Sequence, residues 1–278
     1  MADLPPNNGE DLFLVYQNMI VPRTLTPSLF RFRVALDDSI AFLVFILEAG
    51  VFIQRHWDQF LKTSERLSGN SEQYKYFRSI FDEPKFRQQM SLESHDHYMS
   101  KLALANSVDS FLVYLREILT EVFLAKPETL KTSAEVRVDW VLEHKSMGEL
   151  VAAIAAKRIE RLTFEGSLAL ITHFSKLGVP LTTTDHQLKQ LSLLIESRNV
   201  IVHNRGFINE IFLRRIPDHP GKVGDAIQLS FDDTSKARWF LNNLVCVFDR
   251  RVSKKFNLHA HESKTEGPGT WRNVSEII

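Results

Sequence analysis

The residues with the clearest chemical potential lie in the last third of the chain, where the sequence reads Arg198-Asn199-Val200-Ile201-Val202-His203-Asn204-Arg205-Gly206. An imidazole titrates near neutrality and can take or give a proton. A guanidinium keeps its charge and can grip two phosphate oxygens at once. On a helix turning about 100° per residue from Arg198, Leu188, Leu191, Ile195 and Val202 fall at about +20° to +80°. Leu194 and Ile201 fall at about −40° and −60°. Arg198 therefore stands inside an apolar arc, where a charge is costly unless it is paired or faces a cleft. Beside the arc runs a polar stripe of Ser192, Glu196, Asn199 and His203. Asn199 and His203 are one turn apart and can meet. Arg198 lies about 140° from His203 by the same count, yet its long side chain can lean toward that edge. Taken singly, each residue also has a plain role: a paired interfacial arginine, a histidine favoured at a negative helix end, a polar surface asparagine.

Other clusters carry less. His95 with His97, and His259 with His261 and Glu262, have metal-like spacing but no convergent partners, and no metal site is expected, since a closed site needs about four ligands. Lys157, Arg158 and Arg161 form a basic run, as do Arg250, Arg251, Lys254 and Lys255. No aromatic residue interleaves them, so both read as solvated helix faces. Cys246, the single cysteine, sits among apolar residues and reads as core. The sequence has no glycine-rich phosphate loop, zinc-protease helix motif or nucleophile elbow.

The elements that must position Arg198 and His203 are helical. Ser28 is the expected cap of a helix over about 29–67, stopped by Gly69 and Asn70. Residues 71–94 are polar, with Phe77, Ile80, Phe81 and Phe86 as anchors, and predict short helical pieces and loop. A second long helix is expected over about 97–124, with Ala105, Val108, Leu112, Leu115, Leu119 and Val122 forming one seam. Shorter helices follow at about 134–143, 148–156 and 164–177, with Gly178 and Pro180 as stop signals. The motif helix spans about 184–204, with Thr182, Thr183 and Thr184 as caps, Asp185 at the positive end and Gly206 as the C-terminal cap. The apolar runs Ile211–Ile216 and Ala226–Phe231, separated by Pro217, Pro220, Gly221 and Gly224, predict a small β-hairpin. A last helix is expected over about 234–255, with Trp239, Leu241, Leu244, Val245 and Phe248 in its apolar set. The fold class is therefore all-α, mainly a helical bundle, with a small β-hairpin insertion near 211–231.

Composition narrows the classes. The 278 residues are 44% hydrophobic and 24% charged, with 34 basic residues against 34 acidic ones. That is the make-up of a globular protein, and zero net charge argues against coating nucleic acid or membrane by bulk charge. One cysteine excludes a disulfide framework within the chain and fits a reducing cytoplasm. The first ten residues are polar, with Pro5, Pro6 and Gly9, and do not read as a secretory signal. Ile40–Ile53, the most apolar stretch, contains Glu48 and Gly50 and is shorter than the roughly 20 residues of a membrane span. It predicts a buried helix.

An arginine followed by a polar residue, then a histidine after four intervening positions, resembles the signature of the HEPN superfamily of helical domains. Arg198, Asn199 and His203 carry it here. The wider order is similar too: a long seam helix, shorter helices, and the motif near the end of a late helix. The resemblance covers about residues 95–255. With the polar stretch from Asn257 read as a flexible tail, the expected layout is an N-terminal helical region of unknown role (1–94), a HEPN-like domain (95–256) and that tail (257–278).

The resemblance implies a metal-independent endoribonuclease that needs no cofactor and serves as a toxin or in antiviral defence. It implies a homodimer in which both motif helices face one cleft. Carried over, Arg198, Asn199 and His203 are the catalytic residues. The expected reaction is RNA cleavage by its own 2′-hydroxyl: His203 moves the proton, Arg198 stabilises the phosphorane-like charge, and Asn199 holds the imidazole or contacts RNA. One histidine per chain is thin for paired acid–base work, which favours a composite site. Glu196 is expected to orient this group from behind. Arg205, Arg214 and Arg215, which follow the motif, are the expected RNA contacts. Some relatives are controlled by modification of a tyrosine two residues beyond the histidine; Arg205 stands there, so that control is not expected, although another antitoxin or regulatory protein remains open. The competing expectation is a non-catalytic dimerisation, protein-interaction or nucleotide-binding module, a fate that other members of the superfamily have met.

Overall fold

Caps and glycines set the boundaries of the helices. The computed structural model describes residues 24–68, 92–131, 137–258 and 261–262, with a few single positions between 72 and 83. In chain order the helices are α1 (Pro27–Ser68), α2 (Leu92–Ala125), α3 (Val138–Leu142), α4 (Met147–Phe164), α5 (Ser167–Lys176), α6 (Asp185–His203), α7 (Glu210–Arg215) and α8 (Phe231–Phe256). A 3-10 turn, Pro127–Leu130, follows α2. Two short strands, β1 (Thr24–Leu25) and β2 (His261–Glu262), pair antiparallel, Thr24 opposite Glu262 and Leu25 opposite His261. Among the described residues the fold is all-α but for this pair and one isolated bridge. Among the described residues no helix is long and apolar enough to cross a membrane.

The cap of α1 is Thr26, not Ser28. Its hydroxyl accepts from the Leu29 amide at 3.1 Å, and Pro27 at the first helical position has no amide to leave unsatisfied. Ser28 turns instead to Glu121, donating from both its amide and its hydroxyl. α6 opens as expected: Thr184 accepts from the Gln187 amide at 3.2 Å, and Gln187 accepts from the Thr183 amide at 3.0 Å. α5 ends in a Schellman turn, with Val179 N–H on the Phe174 carbonyl and Gly178 N–H on that of Ser175.

The expected hairpin over 211–231 is corrected. Asn209 accepts from the Phe212 amide at 2.9 Å and nucleates α7, with Glu210 in its first turn and Arg214 and Arg215 in its last. Such ends suit a helix macrodipole. The second run does not pair with the first. Ala226 bridges Phe207, and Ser230 with Asp233 forms a reciprocal cap that starts α8 three residues before the expected Thr234. Residues 69–71 and 84–91, where the sequence predicts a helix stop and loop, lie outside the described residues, as do the expected anchors Phe77, Ile80 and Phe81 and all of 132–136. Of the expected tail 257–278, His261 and Glu262 form β2, and the chain from 263 on lies outside them too.

The chain groups into two compact units, interleaved in sequence. The first takes the described residues of 1–36, 107–196 and 237–278; the second those of 37–106 and 197–236. The expected division at residue 94 falls within a segment of the second unit.

The first unit is built round the seam of α2, where Val108, Phe111, Leu115, Ile118, Leu119, Val122 and Phe123 have no exposure. Leu112, expected in the seam, is half-buried, and Phe111 takes its place. From α8, Leu241, Val245, Phe248 and Val252 are buried, whereas Trp239 is 37% exposed and not part of the core. Phe248 meets Phe174 edge-on, with centroids 4.9 Å apart. Cys246 is buried as expected, and burial pushes its thiol up to about 11. Within this apolar packing sits Asp249, 2% exposed, accepting from Thr26 Oγ1 at 2.6 Å and from the Tyr114 hydroxyl at 3.1 Å. Burial raises the Asp249 carboxyl to about 6 against the lowering effect of those two donors. Burial, then the charge of Asp249, raises the Tyr114 phenol well above its ordinary value.

The second unit has a smaller cluster of Val200, Ile208, Phe212 and Ile227, with Leu213, Ile216 and Leu229 packed against it. In the run Ile40–Ile53 only Leu43 is buried among the described side chains, so the expected buried helix is corrected to one exposing Phe42, Phe45 and Phe52. α1 kinks at His56, where the backbone leaves helical geometry.

Asp249 makes stability depend on pH. Its carboxyl binds a proton more tightly folded than unfolded, so its contribution is complete below about pH 4 and is lost as pH rises through about 6. The loss is on the order of 2–3 kcal/mol by linkage. Asp249→Asn, neutral throughout and still able to accept from both hydroxyls, should remove most of this slope in urea unfolding measured from pH 4 to 7. Glu121, also raised chiefly by burial, should leave a residual slope of the same sign.

Candidate functional site

The motif lies in the C-terminal part of α6, within the second unit. Leu191, Leu194 and Ile195 are buried in the first unit, and Val200 is buried at 3% in the second. Val200 lies about 140° round the helix from Ile195. The apolar arc read from the sequence included Leu188 and Val202 and did not name Val200. The structure reverses these: Leu188 and Val202 are exposed, Val202 at 48%. A single apolar stripe cannot describe a helix whose two ends are packed by different clusters.

Arg198 and Asn199 are half-buried and His203 is exposed. Arg198 Nη1 lies 3.4 Å from the Asn199 Oδ1 and 3.4 Å from His203 Nε2. The guanidinium thus crosses the wheel to join the asparagine and the imidazole, as its length allows. A guanidinium only donates, so this contact is a hydrogen bond in the tautomer that leaves Nε2 without a proton. Glu196 is 9% exposed and is the last residue of the first unit's middle segment.

The end of α6 is held by an extended turn. The Asn204 and Gly206 amides both reach the Val200 carbonyl at 2.9 Å. Arg205 and Gly206 both have left-handed backbone, with φ 54° and 80°. The next residues pair across the loop: Ile227 N–H donates to the Gly206 carbonyl and Ile208 N–H to that of Asp225, each at 2.8 Å. Arg205, Arg214 and Arg215 are exposed, the first on the turn and the other two at the end of α7.

Lys101 escaped the sequence reading. Its Nζ lies against Gly206, 3.3 Å from where a Cβ would stand. The first turns of α2 are fixed beside the same loop: His97 Nδ1 bonds the Leu229 carbonyl at 2.8 Å, and Thr234 Oγ1 donates to that of Ser100 at 3.2 Å. Lys101 precedes the motif by almost a hundred residues, and nothing local in sequence links the two. Among the described residues no three His, Cys, Asp or Glu side chains converge as a metal site. The His97 contact is structural, and His259 lies outside the described residues.

Chemically, the site offers an exposed imidazole, a guanidinium in contact with it, an amide acceptor and several cations in the same unit. That set can move a proton beside a bound anion. Comparison with known protein families, with curated proteins and with solved structures finds no significant match to this chain.

Gly206→Ala tests the turn. A side chain at φ 80° costs about 1–2 kcal/mol, and Lys101 must also shift by a few tenths of an ångström. Urea unfolding should show that loss. Lys101→Ala in the same background should recover little of it, because the strain resides in the backbone.

Proposed function

We propose that this protein is a HEPN-like endoribonuclease, needing no metal, that cleaves RNA by 2′-hydroxyl transesterification. The observation that carries the reading is the 3.4 Å contact of Arg198 Nη1 with His203 Nε2 at an exposed helix end. His203 takes the proton from the 2′-hydroxyl as its oxygen bonds to phosphorus. Arg198 offsets the charge that builds on the phosphoryl oxygens. The P–O5′ bond breaks, the 5′-oxygen receives a proton, and the products are a 2′,3′-cyclic phosphate and a 5′-hydroxyl. In a homodimer the partner's imidazole supplies that second proton. Arg205, Arg214 and Arg215 hold the RNA backbone, joined by Lys101. The protein acts in the cytoplasm as a toxin or defence effector, restrained by a regulatory protein.

A second reading is a non-catalytic interaction module. It is favoured by the exposed apolar side chains Leu188 and Val202, about 40° apart round α6. Under it, the same face binds a partner and His203 has no chemical task.

Purified protein incubated with RNA in EDTA should yield 2′,3′-cyclic phosphate ends. His203→Ala and Arg198→Ala should each lower the rate by roughly 10²–10⁴-fold while leaving the circular dichroism spectrum unchanged. RNA left intact across varied substrates, or cleavage that survives both substitutions, rejects the nuclease. Val202→Asp should give monomers in sedimentation and abolish cleavage if the site is composite.

A further inference from the structure

The basic run Lys157, Arg158 and Arg161 lacks interleaved aromatics in sequence, but the fold supplies what the sequence does not. Within the first unit, α4 lines a cleft of about 880 Å³ together with α3, the end of α5 and the turn after α2. Its volume lies in the range of small-molecule sites, about 300–1,000 Å³. Six cationic side chains face it: Lys131, Arg137, Lys157, Arg158, Arg161 and Lys176. Only two carboxylates join them, Asp139 and Glu143. Asp139 is engaged by Arg137 through a two-pronged contact. Trp140 from α3 forms part of the wall, with Lys157 Nζ 3.6 Å from its ring centroid.

A surplus of like charge around one concavity is unfavourable without a counter-charge, and low-dielectric walls concentrate its field. A second observation points into the same place. His173, from α5, is 8% exposed and lines the cleft, and its Nε2 has no hydrogen-bond partner among the described residues. Its ring packs edge-on against Phe123 at 5.7 Å. Burial first, then the positive charges of Lys176 and Arg161, holds its pKa below the ordinary histidine value. A buried polar atom without a partner carries a desolvation cost that a hydrogen-bonding ligand would remove.

We infer that this cleft binds a compact, multiply charged phosphate anion, such as a small molecule bearing a chain of phosphate groups. The lysines and arginines supply charge-assisted bonds to phosphate oxygens, the guanidinium groups in pairs. His173 forms the apolar-backed floor. The cleft is of small-molecule size and Lys157 already occupies one side of Trp140, which favours a compact anion over stacked bases. This inference does not rest on the nuclease reading.

Isothermal titration of the full-length protein with sodium tripolyphosphate, at fixed ionic strength, tests it. Saturable one-to-one binding that weakens with added salt is expected. The pair Lys131→Glu with Lys176→Glu, both at exposed positions, should weaken binding by about tenfold or more. Arg158→Gln with Arg161→Gln should do the same if the first pair unfolds the protein. His203→Ala should bind like the unsubstituted chain. No saturable binding, or binding indifferent to both pairs, overturns the proposal. A short RNA that binds where tripolyphosphate does not also overturns it, in favour of a strand-binding groove.

Discussion

One helix must satisfy two cores. α6 buries Leu191, Leu194 and Ile195 in one unit and Val200 in the other, and the residues between and beyond these anchors cannot all face inward. Arg198 and Asn199, in the second unit, are half-buried, and His203 ends the helix in solvent. The arginine is thus backed by packing and fronted by water, where a guanidinium keeps its charge and still meets a neighbour. The rest of the second unit maintains this position. Ile208, Phe212 and Ile227 hold Val200, and the left-handed turn at Arg205 and Gly206 brings those residues back beneath it.

The main architecture was readable because it depends on local signals. Threonines ahead of Asp185, glycine after Leu177 and the three-and-four spacing of α2 act over one or two turns. What escaped depended on tertiary partners. Ile211–Ile216 is apolar and partly β-branched, but Asn209 at its head and two arginines at its end favour a helix once Phe212 has a cluster to enter. Ile40–Ile53 has a core composition yet exposes most of its aromatics, because hydrophobicity reports the wish to be buried and not the presence of a cover. The Arg198–His203 contact was legible as a spacing, whereas Lys101 and Trp140 entered their surroundings from distant segments.

The two units treat charge differently. In the first, Asp249 is sunk into the core beneath Thr26 and Tyr114, and six cations gather along the cleft beside α4. The buried carboxylate is tolerated because two hydroxyls point at one oxygen. The cleft cations need no such shelter, since water reaches them. In the second unit, cations edge an exposed turn and the end of a short helix. Zero net charge over the whole chain therefore conceals locally positive surfaces on both units.

The Thr26 to Asp249 bond spans 223 positions, and β1 meets β2 over a comparable stretch. The first described segment meets α2 through Ser28 and Glu121, but its contacts with Asp249 and β2 form only after α8 is made. This unit therefore cannot complete itself before α8 and β2 have been made, and part of the apolar surface of the earlier helices waits uncovered until then. A chain stopped before the last helix lacks the α8 partners of Thr26, Tyr114 and Phe174.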